Sequence, residues 1–315
     1  MELLLLNEAD VRRLLDPDRL LTALEEGFRA ISGGAADVPP RVAANAPLGY
    51  LAAMPGYGQN LGLATKLVSV YPGNHDLGIP SHQALVCLFD AGTGSPLAVM
   101  DGSRITAIRT AGTAAVSVRH LARADARVLA IVGAGVQGAA HLEMLPRARE
   151  FTEIRIASRT FEHSAALAAA DHRAHAVESF AEAVHGADVV ALCTHSGEPV
   201  IRRDWLDPGT HVTSVGFAVP HGELDRRIAE DGRLYVESRT AAFQPPPVGC
   251  MELVGMDPNS ATEMGELLLG KAPGRQDAAE LTVYKSMGHA IEDVAAAQLV
   301  YEAACRDGAG VSFAL

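Results

Sequence analysis

Residues 127–140 read Arg127-Val128-Leu129-Ala130-Ile131-Val132-Gly133-Ala134-Gly135-Val136-Gln137-Gly138-Ala139-Ala140, and this stretch decides the fold. The aliphatic, β-branched run Val128–Val132 is that of a buried parallel strand. Glycines follow, then a helical run with Val136, Ala139, Ala140, Met144 and Leu145. Gly133, Gly135 and Gly138 fit the G-x-G-x-x-G spacing of a dinucleotide turn. The first permits a tight turn out of the strand. The second lets backbone N–H groups approach a pyrophosphate, and the third lets the helix pack on the strand. The helix start at Val136 and Gln137 then offers unpaired N–H groups and a positive dipole end to the anion. Further strand–helix alternation downstream favours a nucleotide site over a glycine-rich turn that holds no ligand.

The next strand, Glu153–Ala157, decides which dinucleotide is read. An NAD site places an acid about 20 residues after the glycines to bond the ribose 2′-OH. Here the chain has Ser158-Arg159-Thr160. A guanidinium flanked by two hydroxyls suits a 2′-phosphate, so the sequence favours NADP(H). NAD(H) is the alternative if Arg159 is only a solvated loop residue.

Composition bounds the rest. The 315 residues suit one large domain or two modest ones, and 48% hydrophobic residues describe a soluble globular chain rather than a disordered one. A net charge of −12 argues against a nucleic-acid partner. The N-terminal apolar run Leu3–Leu6 lies between Glu2 and Asn7, too short for a signal peptide, and no run has the length of a membrane span. Cys87, Cys193, Cys250 and Cys305 lie far apart without C-x-x-C spacing, as expected of reduced, packed thiols in a cytoplasmic protein. His172 and His175 are the closest histidine pair, but they have no H-E-x-x-H pattern or nearby cysteine, so no metal site is expected.

Along the chain, Asn7 with Asp10, and Asp16 with Pro17, are helix starts. Leu20, Leu21, Leu24, Phe28 and Ile31 then mark one apolar face, closed by Ser32-Gly33-Gly34. Strands are predicted at 50–54, 61–70, 82–90 and 96–100, without helices between them, so this part is a separate α+β domain with antiparallel or mixed pairing. A long helix at 103–123 leads into the glycine turn. Strands at 174–177, 188–194, 210–217 and 234–237 complete a doubly wound parallel sheet of the Rossmann type, with a capping-box start at Ser179 and Glu182. The stretch 281–304 reads as one long amphipathic helix through Val283, Met287, Ile291, Val294 and Leu299 that returns to the N-terminal domain.

Three cations look out of place. Arg41 follows Pro39-Pro40, Lys66 interrupts the apolar strand 61–70, and Arg109 lies among small apolar residues between Thr106 and Thr110. A buried cation needs an anion, and a substrate carboxylate is one candidate, a protein carboxylate another. At the strand ends that face the ligand crevice, Thr194 and Val215 are candidate cofactor neighbours. His221, Glu223 and Asp225 are candidate acid–base groups there, although the two acids also suit a helix start.

These residues together resemble the ornithine cyclodeaminase/mu-crystallin family over nearly the whole chain. The resemblance rests on Met54-Pro55, the Lys66 strand, Tyr71-Pro72-Gly73-Asn74, Gly78-Ile79-Pro80-Ser81, and Phe89-Asp90-Ala91-Gly92-Thr93-Gly94. It continues through Asp101-Gly102-Ser103-Arg104-Ile105-Thr106-Ala107-Ile108-Arg109-Thr110-Ala111, Gly133-Ala134-Gly135-Val136-Gln137, Ala272-Pro273-Gly274-Arg275 and Lys285-Ser286-Met287-Gly288. It implies a homodimer, with residues 1–115 and 290–315 as a discontinuous α+β substrate-binding and dimerisation domain and 116–289 as the dinucleotide-binding Rossmann domain. Arg41, Lys66 and Arg109 fall on the family's substrate-carboxylate positions. Ser81, Arg109, Thr110, Gln137 and Ser286 join the glycines, Val136, Ser158, Arg159, Thr160, Thr194 and Val215 as candidate cofactor contacts.

The chain departs from the cyclodeaminases where they carry an aspartate two residues after the strand-end glycine: here stands Ala218. The expected activity is therefore an NAD(P)H-dependent reductase or dehydrogenase acting on the C=N or C–N bond of a small imino or amino acid. The alternatives are redox-neutral cyclodeamination of ornithine to proline and ammonia with NAD+, and a non-catalytic NADP-dependent binder of a small ligand, as mu-crystallin binds thyroid hormone.

Overall fold

In the computed structural model, which describes residues 2–246 and 248–315, the chain divides into two units. One holds the described residues up to Arg109 together with His289–Leu315; the other is Thr110–Gly288.

The first unit is a sheet under a helical layer. Strand β1 (Glu2–Leu6) leads to α1 (Glu8–Leu14) and α2 (Pro17–Gly33). The Asn7 side chain accepts the Asp10 N–H at 3.0 Å, and the Asp10 carboxylate accepts the Asn7 N–H at 3.2 Å. Asp16 caps α2 through the N–H groups of Asp18 and Arg19, and Gly34 ends it with φ +76°. Strands β2 (Ala36–Asp37), β3 (Val42–Ala46), β4 (Gly49–Gly58), β5 (Gly62–Val70), β6 (His82–Phe89) and β7 (Pro96–Asp101) follow. Helix α3 (Gly102–Leu121) then carries the chain across the boundary between units. Pairing is antiparallel except between β1 and β7. Strands β1 to β3 were not foreseen. The first is a short apolar run without alternation, the second has two residues, and the third is exposed at all five positions and so has no alternation to read.

Alternation gives this sheet two distinct faces. Met54, Lys66, Val86 and Met100 are cross-strand neighbours and all buried. The opposite face runs Pro55, Thr65, Cys87, Val99, Leu5 and, at the far edge, Val311. On it Leu5, Leu51, Leu85 and Val311 are exposed.

The second unit is a parallel sheet of eight strands. In chain order they are β8 (Val128–Val132), β9 (Glu153–Ala157), β10 (Ala174–Ala176), β11 (Val189–Leu192), β12 (His211–Ser214), β13 (Arg233–Val236), β14 (Ala261–Glu263) and β15 (Thr282–Lys285). Their spatial order is β10-β9-β8-β11-β12-β15-β13-β14. The order therefore reverses between β8 and β11, the switch point at which such sheets open a ligand crevice. Helices α4 (Val136–Met144), α5 (Phe161–Ala168), α6 (Phe180–Val184), α7 (Arg226–Asp231), α8 (Arg239–Ala242) and α9 (Met264–Leu268) connect the strands. Thus the expected α/β class with a separate mixed-sheet part is the observed one. The capping box at Ser179 is only half made: Ser179 Oγ accepts the Glu182 N–H, but the Glu182 carboxylate accepts from Glu178 N.

The stretch 281–304 is not one helix. Thr282–Lys285 is strand β15 inside the parallel sheet, and helix α10 begins only at Ala290, running Ala290–Asp307 before β16 (Val311–Ala314). Val283 and Tyr284 are a β-branched–aromatic pair suited to a buried strand. Gly288 then takes φ +74°, which breaks any helix, and His289 and Glu292 make the capping box that starts α10. Replacing Gly288 by alanine puts a side chain where the left-handed backbone disfavours one. We expect a loss of about 1–2 kcal/mol, read as a lower urea midpoint; an unchanged midpoint overturns the strain.

Candidate functional site

In the second unit the three glycines behave differently from one another. Gly133 has φ +115°, and a Cβ there would stand 2.6 Å from the carbonyl oxygen of Cys193 on the neighbouring strand. A Cβ on Gly138 would meet the Gly133 carbonyl oxygen at 2.0 Å, so α4 lies directly against the turn. A Cβ on Gly135 would meet nothing within 4 Å. This glycine is the N-cap of α4 and offers no side-chain cap bond, and Val136 beside it is 74% exposed. The backbone of α4 is therefore approachable at its first turn, where N–H groups lack intrahelical partners. Gln137 adds a buried side-chain oxygen with no hydrogen-bond partner. The approachable N–H groups of that first turn fit a dinucleotide pyrophosphate, whereas the Gln137 oxygen, an acceptor, would need a donor such as a ribose hydroxyl.

At the tip of β9, Ser158 Oγ donates to the Thr160 carbonyl at 2.6 Å and accepts from Ser164 Oγ at 3.0 Å. These bonds shape the loop around Arg159, which is exposed and pairs with no carboxylate among the described residues.

The strand ends beside the switch point hang on one acid. Glu223 is fully buried; its carboxylate accepts the N–H and hydroxyl of Thr194, both at 2.6 Å, the Ser214 hydroxyl at 2.9 Å and the Gly216 N–H at 2.7 Å. Lys285, also fully buried, donates to Ser214 Oγ at 3.1 Å and the Gly216 carbonyl at 2.7 Å, and pairs with Glu252 at 3.0 Å. Burial opposes its charge, but Glu252 and Glu223 outweigh that and raise its pKa. Glu223 is therefore a tie between loops, not a solvent-reachable acid. Asp225 caps α7 through the Arg227 N–H, and His221 is exposed, 3.9 Å from Glu198. Val215 continues the ladder by donating its N–H to Leu192. Ser286 Oγ donates to Glu237 at 2.5 Å, and the same carboxylate accepts the N–H groups of Met287 and Gly288. Thr110 is buried in α3, and its carbonyl accepts the Thr113 hydroxyl.

In the first unit Lys66 and Arg109 come together around acids that the sequence reading did not single out. Lys66 Nζ lies 2.9 and 3.1 Å from the two oxygens of Asp293. Asp293 Oδ1 also accepts from Arg109 Nε at 3.1 Å, and Arg109 Nη1 donates to Glu292. All four residues are buried. Their signal was Glu292-Asp293 standing between Ile291 and Val294 on an otherwise apolar helix. Burial first, then Arg109 and Arg41, lower the Lys66 pKa to about 8 against the opposing charge of Asp293. Burial alone would raise Asp293, but Arg109 and Lys66 hold its carboxyl below the usual range. His82, on the Lys66 face of β6, is held neutral, its pKa lowered to about 4 by desolvation and then by Lys66 and Arg109. Arg41 is half-buried just before β3 and is close enough to act on both Lys66 and Tyr50. Ser81 lies in the exposed segment before β6, its carbonyl accepting the Tyr71 N–H.

The four cysteines are unbridged, and Cys305 is exposed, so the expectation of uniformly packed thiols is corrected there. Among the described residues no group of three or more His, Cys, Asp or Glu is placed to hold a metal, and no helix is long and apolar enough to cross a membrane.

Residues 1–308 match the model of the family described as ornithine cyclodeaminase/mu-crystallin. The chain is 40% identical over 257 residues to the ketimine reductase mu-crystallin of Mus musculus, covering 81% of this chain and 80% of the other. It is 33% identical over 318 residues to the alanine dehydrogenase of Archaeoglobus fulgidus, covering 98% of each. Among solved structures, the Delta(1)-pyrroline-2-carboxylate reductase of Thermococcus litoralis in complex with NADH and L-proline superposes with a TM-score of 0.92 at 32% identity, over 98% of this chain and 99% of that one.

Gly138→Ala tests the cradle. The added carbon must push α4 off the turn, and NADPH affinity should fall about tenfold or more by fluorescence titration, equivalent to roughly 1.4 kcal/mol. Undiminished affinity overturns the assignment of these glycines.

Proposed function

The chain belongs to the ornithine cyclodeaminase/mu-crystallin family, and from that premise we propose that it reduces a C=N bond next to a carboxylate with NADPH. It is an NAD(P)-dependent oxidoreductase acting on small imino or amino acids. The finer reading takes as substrate a cyclic ketimine such as pyrroline-2-carboxylate, or the imine of a 2-oxo acid with an amine.

The observation that carries this reading is a lysine, Lys66, buried beside Arg109, with its pKa lowered to about 8. An ammonium with that pKa is largely charged at neutral pH yet gives up its proton readily, which is what a general acid needs. Arg41 and Arg109 hold the substrate carboxylate; Glu292 and Asp293 fix the plane of the Arg109 guanidinium. A bound dinucleotide would supply a hydride to the imine carbon. The C=N π pair moves onto nitrogen, and Lys66 donates the proton that completes the amine. Neutral Lys66 then regains a proton from solvent. Gly133, Gly135, Val136, Gln137 and Gly138 would hold the dinucleotide pyrophosphate through the turn and the backbone at the start of α4. Glu223 keeps Thr194 and the Ser214–Gly216 strand end in place beside the switch point. Ser81, Thr110, Val215 and Ser286 are further proposed cofactor contacts.

Arg159, exposed and without a carboxylate partner among the described residues, favours the 2′-phosphate of NADP(H). Ala218 is buried where a cyclodeaminase has its aspartate, and Glu223 is committed to backbone and hydroxyl donors, so no acid in this loop serves a substrate amine. The apolar outer face of the first unit's sheet, with Leu5, Leu51, Leu85 and Val311 exposed, supports a homodimer through that face. Unbridged thiols suit a cytoplasmic setting.

The test is loss of NADPH absorbance against a panel of pyrroline-2-carboxylate, piperideine-2-carboxylate, and 2-oxo acids with ammonia or methylamine. Stoichiometric loss with one imine is expected. Ammonia and proline from ornithine with catalytic NAD+ would replace this reading. Lys66→Met should lower kcat/KM by about 10²–10⁴-fold with NADPH affinity intact. In the wild type, kcat/KM should fall as pH rises through about 8, because Lys66 loses its proton there. Arg159→Ala should raise KM for NADPH about tenfold or more and leave NADH unaffected; equal effects on both cofactors would remove the 2′-phosphate reading.

A further inference from the structure

The Lys66–Asp293 contact is more than a pairing of convenient charges. Both Asp293 oxygens lie within 3.1 Å of Lys66 Nζ, and Oδ1 is shared with Arg109 Nε. One carboxylate thus sets the spacing between the lysine and the arginine. Glu292 holds the other end of that guanidinium, and its second oxygen accepts the His289 N–H at 3.0 Å. The cluster is thereby fastened to the backbone that starts α10.

Asp293 also sits in the first turn of α10, where the positive end of the helix dipole favours an anion. Its charge has that support whether or not Lys66 is protonated. Facing Lys66 are Arg41 before β3, His82 on β6, Arg109 on α3, and Asp293 and Glu292 on α10; Met54 and Val86 flank it on the adjacent strands. His82 is neutral, and Glu292 is engaged with Arg109. Among the described residues Asp293 is therefore the carboxylate seen in contact with the ammonium, set against two guanidinium groups.

We propose that Asp293 is a positioning residue for the reduction. It holds the Lys66 ammonium in its proton-donating state and in one direction, through a permanent carboxylate that also fixes Arg109. The inference rests on the reading of Lys66 as proton donor. A proton passed from Nζ to the substrate nitrogen leaves a neutral amine hydrogen-bonded to Asp293. The negative charge there draws the next proton from solvent back to the same atom. The carboxylate itself neither gains nor loses a proton in the cycle.

The experiment compares pH profiles of kcat/KM for pyrroline-2-carboxylate with NADPH in the wild type, D293N, D293E and K66M. Removing the anion takes away the carboxylate in contact with Lys66 while the repulsion from Arg109 and Arg41 remains, so the ammonium is less favoured. The basic limb of D293N should move down by about one pH unit or more. Its kcat should fall about tenfold or more while KM for NADPH stays put. D293E keeps the charge but displaces the oxygens. Its limb should stay within about half a pH unit of wild type, with kcat again reduced about tenfold. Ionisation of the substrate is common to all profiles and drops out of the difference.

A D293N limb coincident with wild type overturns the proposal, because a purely structural role changes stability and not the limb. If D293N does not fold, D293E decides alone: undiminished kcat overturns the positioning role. Full activity in K66M is a separate failure. It removes Lys66 from the mechanism and so refutes the reading beneath the proposal, whatever the Asp293 variants do.

Discussion

Four side chains carry two positive and two negative charges into the interior of the first unit. Lys66 comes from the middle of a sheet strand, Arg109 from the helix that leaves it, and Glu292 with Asp293 from a helix near the other end of the chain. Each charge alone would be prohibitive at such burial; together they satisfy one another's hydrogen bonds. The arrangement is a constraint as much as a stabilisation. Removing one partner leaves an uncompensated ion, so the helix Ala290–Asp307 is locked in one register over the sheet by charge as well as by Ala290, Ile291 and Val294. Hydrophobic packing alone tolerates sliding; a buried ion pair does not.

The second unit repeats the device. Glu223, Lys285 and Glu252 lie buried under the strand ends, where they bond to backbone groups of Gly216 and to Thr194 and Ser214. Glu237 does the same for residues 286–288. Rossmann sheets place their ligand at strand ends, where the ladder stops and backbone groups lose their partners. Carboxylates take up those groups and leave the glycine turn as the approachable backbone. Buried charge thus fixes a helix over its sheet in one unit and holds irregular strand ends in the other.

Much of this was legible in the chain itself, for definable reasons. The central strand, the glycine turn and the caps at Asn7 and Asp16 depend on local chemistry that a few adjacent residues settle. The positive φ at Gly133 and the close approach at Gly138 follow from spacing alone. Lys66 and Arg109 stood out because charge is costly in an apolar surrounding. Their partners do not stand out in the sequence, because with 281–304 read as one helix Glu292 and Asp293 fall in its middle as an acidic pair on an amphipathic surface. Glu223 drew attention for a chemical role and has a structural one, since its four donors come from residues scattered over positions 194 to 216. The strand at Thr282–Lys285 was absorbed into the helix after it. Val283, Met287, Ile291 and Val294 keep helical spacing by coincidence, and the left-handed backbone of Gly288 breaks that period.

The first unit is assembled from both ends of the sequence, with the second unit inserted whole between them. During synthesis Arg109 emerges 184 residues ahead of Asp293. At usual elongation rates that is an interval of about 10 to 40 s. The inserted unit is continuous and completes its own sheet as soon as Lys285 is free. The early sheet spends the same interval with Lys66 and Arg109 lacking their acids and its helix-bearing face uncovered. The ion cluster therefore cannot close until the whole inserted unit has been made.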